Sequence, residues 1–252
     1  MKINVLKFGG TSVESIEKIQ SIAKKLVNRK NQGDNLVVVV SAMGKSTDEL
    51  LNMAKSITPN PDKRELDMLL STGEQVTIAL LSMAINALGS ESISMTGSQV
   101  SIKTDSTHSK ARINSIDKNN MLNYLSEDKI LVVAGFQGVT ENGDITTLGR
   151  GGSDTTAVSL AAILNASCEI YTDVDGVYSI DPRKYPKARK LESLDYDEML
   201  EMASLGAGII DVRAIEMGHK YKVPIFIGLN TMDIPGTIVK EYDKDMEKKA
   251  VT

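Results

Sequence analysis

A lysine and two glycines follow the first apolar segment of the chain, in the order Lys7-Phe8-Gly9-Gly10. Two glycines between a strand and a helix leave backbone amides exposed, and these amides and the helix dipole together form an anion site. Lys7 can bring a positive charge to the same anion. The segment therefore predicts phosphate binding, and a plain strand-to-helix turn with a surface lysine is the alternative.

The densest cluster of chemistry-bearing residues runs from Leu148 to Asp154, where three glycines surround Arg150 and Ser153-Asp154 open a predicted helix. Glycines let backbone amides approach a ligand closely. An arginine can bind a carboxylate or a phosphate through two parallel hydrogen bonds. The alternative is a loop with an ordinary helix cap, but the density of such residues favours a binding site.

Three further polar residues are candidates for the same kind of site. Glu74 directly follows a glycine in an apolar helical stretch, and is either a site residue or solvent-facing. Ser41 and Thr47 follow a predicted strand, at the end where ligands of parallel α/β sheets bind. Helix capping is the alternative for these two hydroxyls.

Two common nucleotide-binding motifs are absent from the chain. Gly44-Lys45-Ser46 follows a strand as in a P-loop, but the P-loop needs a glycine five residues before Gly44, where Val39 stands. No G-x-G-x-x-G sequence follows the first strand either. Any nucleotide is therefore held by another arrangement.

Strands and helices alternate along the chain, which predicts an α/β fold with a largely parallel sheet. The predicted strands are 2–8, 35–41, 91–95, 130–136, 168–173 and 223–228. The predicted helices are one from a capping box at Thr11 and Glu14, then 47–55, 64–88 with a break near 71–74, 154–166, 196–204 and 211–221. A hairpin is predicted over 136–153, turning at Asn142-Gly143.

Composition excludes several classes of function. The net charge is −4, which argues against general nucleic-acid binding. One cysteine (Cys168) and two histidines (His108 and His219) exclude an internal disulfide and disfavour a zinc site. The apolar stretches 36–40 and 130–136 are too short to span a bilayer, and no signal-peptide pattern begins the chain. We therefore expect a cytoplasmic enzyme or binding protein.

Together these segments resemble aspartate kinases of the amino-acid kinase superfamily. The matching segments are Lys7–Ser12, Ser41–Gly44 with Thr47-Asp48, Ser71–Glu74, Gly135–Gly138, Thr146–Asp154, Tyr171–Tyr178 and Asp181-Pro182-Arg183. The resemblance implies a three-layer αβα sandwich with a mainly parallel central sheet. It implies a catalytic domain over 1–240, whose N-terminal half mainly binds the amino acid and whose C-terminal half mainly binds the nucleotide. Residues 241–252 would be a charged tail or linker, where two regulatory ACT modules begin in typical members.

The resemblance implies ATP-dependent phosphorylation of the L-aspartate side-chain carboxylate, with Mg²⁺ accompanying ATP and no metal held by the protein alone. This reaction is the first step toward lysine, threonine and methionine. The implied catalytic residues are Lys7 and Asp154. The positions that match the aspartate site are Thr47, Glu74, Phe136, Arg150, Gly151 and Ser153. The positions that match the nucleotide site are Lys7, Gly9, Gly10, Thr172, Asp173, Tyr178 and Arg183.

Elementary chemistry agrees with these roles. The nucleophile is a carboxylate with an unperturbed pKa of about 3.9, so it needs no general base at neutral pH. Catalysis then consists of positioning and charge neutralisation. Arg150 suits the α-carboxylate of aspartate and Glu74 suits its ammonium. For Asp154 we favour orienting Lys7 or the metal over abstracting a proton.

The chain departs from the family pattern at several positions. Gly208 stands where many members have lysine, Asp211-Val212 where His-Pro is common, and Gly228-Leu229-Asn230 where Arg-Ser-Ser is usual. The resemblance implies a homodimer. Because the sequence stops about where the first ACT module would begin, we expect no lysine or threonine feedback in this chain alone, and a separate regulatory chain is possible. Two alternatives remain: a kinase for another small acid, such as an N-acylated glutamate or a phosphonate, and a catalytically silent nucleotide-binding subunit.

Overall fold

The computed structural model describes residues 2–232 and 234–241, in which helices and strands alternate. The helices are α1 (Ile16–Asn31), α2 (Ser46–Ile57), α3 (Lys63–Leu70), α4 (Thr72–Ala87), α5 (Asn119–Ser126), α6 (Gly152–Leu164), α7 (Tyr196–Met202) and α8 (Val212–Tyr221). The strands are β1 (Ile3–Phe8), β2 (Asn35–Val40), β3 (Ser92–Met95), β4 (Ile102–Thr104), β5 (Ile113–Ile116), β6 (Ile130–Ala134), β7 (Gln137–Val139), β8 (Ile145–Thr147), β9 (Ser167–Thr172), β10 (Val177–Tyr178), β11 (Lys190–Leu191), β12 (Ser193–Leu194), β13 (Ile225–Leu229) and β14 (Thr237–Val239).

The central sheet has eight strands in the order β12-β14-β13-β9-β1-β2-β6-β3. All neighbours are parallel except β13 and β14. The β-branched run of β2 is buried from Leu36 to Val40, as expected for a parallel strand covered on both faces. Because β1, β2, β6 and β9 are parallel neighbours, their carboxyl ends meet at one edge of the sheet.

Successive side chains of each strand point to opposite faces, and each face carries its own core. Val5 packs into the cluster on the side of α5, α6 and α8, whereas Leu6 and Phe8 pack into the cluster on the side of α1 and α4. The helices therefore form two outer layers around the sheet. The predicted three-layer αβα sandwich is confirmed.

A second sheet of four strands, in the order β5-β4-β7-β8, lies beside the central one. The predicted hairpin is confirmed as β7 and β8, which are closed by a hydrogen bond from the Thr140 amide to the Asp144 carbonyl (2.9 Å). Strands β4 and β5 and helix α5 were not predicted, because residues 101–126 are largely polar and show little periodicity.

The predicted capping box at Thr11 and Glu14 is wrong. Residues Gly10–Ser12 form a 3₁₀ turn, and α1 begins only at Ile16, with Ser15 as its N-cap. Glu14 instead pairs with Lys18 (2.6 Å). The exposed amides beside Gly9 and Gly10 therefore belong to the 3₁₀ turn and not to α1.

Helices α3 and α4 follow each other directly, and the predicted break falls at Ser71. By length and apolar composition alone, Lys63–Ala87 could cross a membrane. Half of its most apolar window is buried inside the fold, and the pair also buries the carboxylates of Asp67 and Glu74. These are the features of a core helix pair. Most of the predicted charged tail, residues 242–252, lies outside the described residues.

Candidate active site

A cavity of about 280 Å³ opens at the carboxyl ends of β1, β2 and β6, and is called the substrate cavity below. Its lining residues are Lys7, Ser41, Thr47, Glu74, Phe136, Gly149, Arg150, Gly151, Gly152, Ser153 and Asp154. The structure thus brings together both predicted catalytic residues and all six residues predicted for the aspartate site. They come from distant parts of the chain that the parallel sheet and its flanking helices bring to one edge.

Lys7 and Asp154 form an ion pair at the inner end of this cavity, with 2.7 Å between Nζ and Oδ1. Lys7 lies on β1 two residues after Val5, so its side chain points to the α6 side of the sheet. Asp154 lies in the first turn of α6, where the helix dipole stabilises a carboxylate. Both side chains are only about one-tenth exposed, at 12% and 10%. The pair fixes the position of the lysine ammonium.

Glu74 is buried in the wall of the substrate cavity, with 2% of its surface exposed. Its Oε1 accepts a hydrogen bond from the Ala42 amide (3.0 Å), whereas its Oε2 is buried without a partner. Burial disfavours the charged form and raises the pKa of Glu74 to about 7, despite the Ala42 hydrogen bond. A buried carboxylate oxygen without a donor suits an incoming cation.

Residues Leu148–Gly152, called the glycine-rich turn below, carry Arg150 at the mouth of the cavity. Gly149 and Gly151 have left-handed backbones, with φ of 78° and 71°. A Cβ on Gly149 would lie 3.0 Å from the Ser109 carbonyl oxygen, and one on Gly151 would overlap the Asp211 carboxylate. The glycines are therefore required both for the turn and for its close packing.

Thr47, Ser153 and Phe136 complete the predicted aspartate site. Ser153 Oγ lies 3.0 Å from the Ser41 Oγ, which ties the end of β2 to the start of α6. Phe136 has a φ of 69°, and its amide donates to Thr156 Oγ1 (3.2 Å). An unusual backbone held by a helix side chain is typical of a ligand-binding segment.

Sequence reasoning missed Asp67, a fully buried carboxylate on α3. It accepts hydrogen bonds from the Ser109 amide (2.9 Å), His108 Nδ1 (2.9 Å) and Thr147 Oγ1 (2.5 Å). Asp67 thereby joins the loop before β5 to the last residue of β8, just before the glycine-rich turn. The available signal was its spacing, since Asp67 and Leu70 share the buried face of a helix at i and i+3.

Gly9 and Gly10 lie next to the substrate cavity. A Cβ on Gly9 would lie 3.4 Å from Lys7 Nζ, and one on Gly10 would lie 2.9 Å from the Ala42 carbonyl oxygen. The Gly44 amide donates to the Gly10 carbonyl (3.0 Å). This turn therefore adjoins the Lys7 ammonium, with the loop after β2 packed onto it.

The other four predicted nucleotide residues are Thr172, Asp173, Tyr178 and Arg183, and none of them lines the substrate cavity. Thr172 ends β9, which is the direct neighbour of β1. The Tyr178 hydroxyl donates to the Asp175 carboxylate (3.1 Å), and Arg183 pairs with Asp181 (3.1 Å) and is 87% exposed. These side chains thus lie on the β9 side of the same sheet edge.

The Asp175 carboxylate is held by Tyr178 in its own segment and by Lys190 on β11. Burial alone would raise its pKa, but hydrogen bonds from Lys190 and Tyr178 keep the pKa below its usual value. In residues 2–232 and 234–241, no group of three or more histidine, cysteine, aspartate or glutamate side chains is arranged to hold a metal ion.

The fold and this site define a class of protein. The chain belongs to the Amino acid kinase family, whose profile matches residues 2–228.

Within this family, the chain is similar to several individual aspartate kinases. Aspartokinase 2 of Bacillus subtilis (strain 168) is 54% identical over 252 residues, which are 100% of this chain and 62% of that protein. The crystal structure of aspartate kinase from Synechocystis matches with a TM-score of 0.87 and 48% identity, over 95% of this chain and 40% of that one. Escherichia coli aspartokinase III, solved with aspartate and ADP, shares the fold with a TM-score of 0.85 and 24% identity, over 97% of this chain and 66% of that one. This chain spans about three fifths of the length of the curated relatives it matches, 62% for the first.

Proposed function

We propose that this chain transfers the terminal phosphate of MgATP to the side-chain carboxylate of L-aspartate, forming 4-phospho-L-aspartate as the first step toward lysine, threonine and methionine. The observation that carries the proposal is the composition of the substrate cavity. One wall holds Glu74 with an unpartnered oxygen, the mouth holds Arg150, and the inner end holds Lys7 paired with Asp154. The names of the aspartokinase relatives support the same substrate.

Each charge of free aspartate finds an opposite charge in this cavity. The ammonium pairs with Glu74, whose Oε2 gains the donor that it lacks. The α-carboxylate pairs with Arg150, since a guanidinium binds a carboxylate through two parallel hydrogen bonds. The side-chain carboxylate then points inward to Lys7, with Thr47, Phe136, Gly151 and Ser153 shaping the walls. An acid whose amine is acylated would lack the cation that Glu74 requires.

The transfer needs no proton to move. An oxygen of the aspartate carboxylate forms a bond to the γ-phosphorus, the bond from that phosphorus to the β,γ-bridging oxygen breaks, and ADP leaves with the electron pair. The difficulty is the approach of an anion to a polyanion, so the protein must supply positive charge. Lys7 neutralises the transferred phosphate, Asp154 holds Lys7 in place, and backbone amides of the Gly9-Gly10 turn donate hydrogen bonds to phosphate oxygens.

Magnesium enters this scheme as part of the substrate MgATP. Among the described residues no group of three or more ligands is arranged to hold a metal ion, and Asp154, paired with Lys7, is the carboxylate that would face this magnesium. The nucleotide lies on the β9 side, in contact with Thr172, Asp173, Tyr178 and Arg183. Support for this placement comes from the pairing of β9 with β1, which carries Lys7. Residues 1–240 would then be one catalytic domain that binds the amino acid mainly through its N-terminal half.

The test is the formation of aspartyl hydroxamate. The chain is incubated with MgATP, L-aspartate and hydroxylamine, which traps an acyl phosphate, beside a panel containing L-glutamate, N-acetyl-L-glutamate and a phosphonate. ADP formation is measured for every acid, because a phosphorylated phosphonate gives no hydroxamate. We expect hydroxamate from L-aspartate alone. Turnover with another acid would replace the proposed substrate, and ATP binding without any turnover would favour the silent subunit.

The assembly and its regulation are also proposals. By likeness to the family, we place the chain in the cytoplasm as a homodimer that can bind a separate regulatory chain.

A further inference from the structure

Arg213, on the first turn of α8, reaches the backbone of the glycine-rich turn. Its Nη2 donates to the carbonyl oxygens of Leu148 (2.6 Å) and Arg150 (3.1 Å). These two carbonyls flank Gly149, so one guanidinium nitrogen holds both ends of the segment that leads into Arg150. No other described side chain donates a hydrogen bond to these two carbonyls.

The residue before this helix links the same region to the Lys7–Asp154 pair. Asp211 caps α8, because its Oδ1 accepts from the Arg213 amide (3.1 Å), and it also lies 3.4 Å from Arg213 Nε. The Asp211 amide donates to Asp154 Oδ2 (3.2 Å). The start of α8 therefore contacts the glycine-rich turn through Arg213 and the charge pair through Asp211.

The glycine-rich turn needs such an external contact. Gly149 and Gly151 both have left-handed backbones, and glycine loses more conformational freedom on ordering than any other residue. Two carbonyl dipoles that converge on one side of the turn also repel each other unless a donor lies between them. A guanidinium supplies several donors in a fixed plane and carries its charge at every physiological pH. The hydrogen bonds from Arg213 thus restrict a backbone that the glycines of the turn leave flexible.

We propose that Arg213 is a positioning residue for the amino-acid substrate: it fixes the backbone on both sides of Gly149 and so directs the Arg150 side chain into the substrate cavity. This inference rests on the proposed function, in which Arg150 binds the α-carboxylate. Arg213 itself does not line the substrate cavity. Its effect should therefore fall on the binding of aspartate and spare the binding of ATP.

The kinetic signature follows from this indirect role. Without Arg213 the turn samples more conformations, and only the fraction with Arg150 directed inward binds aspartate well. The KM for aspartate should rise, while kcat at saturating aspartate and the KM for ATP should change little. Lysine keeps the charge at this position but lacks the planar fork of donors, so Arg213→Lys should restore part of the affinity.

A matched control is available in Arg112. It lines, together with Arg213, a separate cavity of about 430 Å³ between β5 and α8, but its side chain is exposed and makes no hydrogen bond to the glycine-rich turn. Arg112→Met removes the same charge and similar bulk from the same cavity. Its aspartate KM should stay at the wild-type value.

The experiment compares wild type, R213M, R213K and R112M. Hydroxamate formation gives both KM values and kcat, and thermal unfolding gives the melting temperature. We expect the aspartate KM of R213M to rise about ten-fold or more and its ATP KM to stay within about two-fold, with R213K between R213M and wild type. An unchanged aspartate KM in R213M would overturn the role of Arg213. So would equal losses in both KM values and in kcat, because these would show only general damage. A wild-type chain inactive on aspartate would instead overturn the proposed function, and this role with it.

Discussion

The substrate cavity and the segment after β9 differ in how their charged side chains are held. In the cavity, Lys7 is 12% exposed and paired with Asp154, and Glu74 is 2% exposed. In the segment that runs from Thr172 to α7, Arg183 is 87% exposed and pairs with Asp181, two residues before it. Burying a charged group is costly unless donors or ions compensate its desolvation. Asp154 compensates Lys7, whereas Glu74 Oε2 is left without a donor.

The two regions also differ in how their segments are held together. The walls of the substrate cavity are tied together across the chain, through contacts such as Ser41 with Ser153 and Asp67 with Thr147. The segment beyond β9 contains short strands, and a π-helical turn over Ala203–Ala207 that ends at the left-handed Gly208. From this comparison we infer that the proposed amino-acid site is formed before any ligand arrives, whereas the proposed nucleotide side is completed by the nucleotide.

The largest effect is expected from Lys7→Met, which removes the positive charge at the inner end of the cavity. We expect kcat to fall about 1,000-fold, the size of effect that loss of one preorganised charge-stabilising group produces. Exposed Lys24 on α1 is the control, since K24M removes an equal charge far from the sheet edge. Retention of more than about a tenth of wild-type kcat in K7M would contradict the role of this lysine in transfer.

Glu74→Gln tests the buried carboxylate through pH. With its pKa near 7 in the free cavity, Glu74 gains a proton as pH falls, so the ammonium of aspartate loses its partner. The wild-type aspartate KM should rise about ten-fold from pH 8 to pH 6, and E74Q should show a high, pH-independent KM.

The same Glu74→Gln substitution should raise the stability of the protein although it weakens the binding of aspartate. Because the folded pKa is raised above the usual 4.5, ionisation of Glu74 costs stability as pH rises from about 4.5 to 7. E74Q should therefore melt higher than wild type at pH 8 although it binds aspartate worse. A variant that loses both stability and affinity would show that Glu74 is only a structural residue.

Asp67→Asn tests the packing that ties the cavity walls together. An amide cannot accept the hydrogen bonds that both Asp67 oxygens now receive, and its NH₂ group would face the Ser109 amide. We expect the free energy of unfolding in urea to fall by about 2–4 kcal/mol, with a several-fold rise in the aspartate KM. Asp117→Asn, on the exposed end of the second sheet, should change neither quantity.

The smallest effect is expected on the nucleotide side. Arg183→Ala removes an exposed side chain whose pairing with Asp181 contributes little to stability. The melting temperature and the aspartate KM should stay at their wild-type values, and the ATP KM should rise by no more than about three-fold. A large loss of stability in this variant would mean that the segment is as firmly held as the cavity.

The sequence predicted the sheet and the cavity better than the contacts behind them. The motifs around Gly9, Glu74 and Arg150 combine unusual residue types with short spacing, which is visible in one sequence. Asp67 and Arg213 act on the cavity from helices whose own pattern shows only an amphipathic face, and their partners lie 42 and 65 residues away for Ser109 and Leu148. Such long-range contacts depend on tertiary packing, so the spacing of Asp67 can indicate that it is buried but cannot identify its partners.

The N-terminus of α1 shows a second reason why a prediction from the sequence was wrong. Thr11 and Glu14 have the spacing of a capping box, but Ser15 offers an equally good cap four residues later. Packing of the 3₁₀ turn against Ala42 and Gly44 decides between them. Local propensity could not make that choice.

The claim that the substrate cavity is formed before the nucleotide binds is tested most directly by calorimetric titration of L-aspartate into the nucleotide-free protein. A cavity formed in advance predicts binding without ATP or ADP, with a Kd within about three-fold of the aspartate KM, and loss of that binding in E74Q at pH 8. Binding of aspartate only after an ATP analogue has been added would contradict it. In that case the nucleotide would organise the amino-acid site, and the two regions would not differ as their contacts indicate.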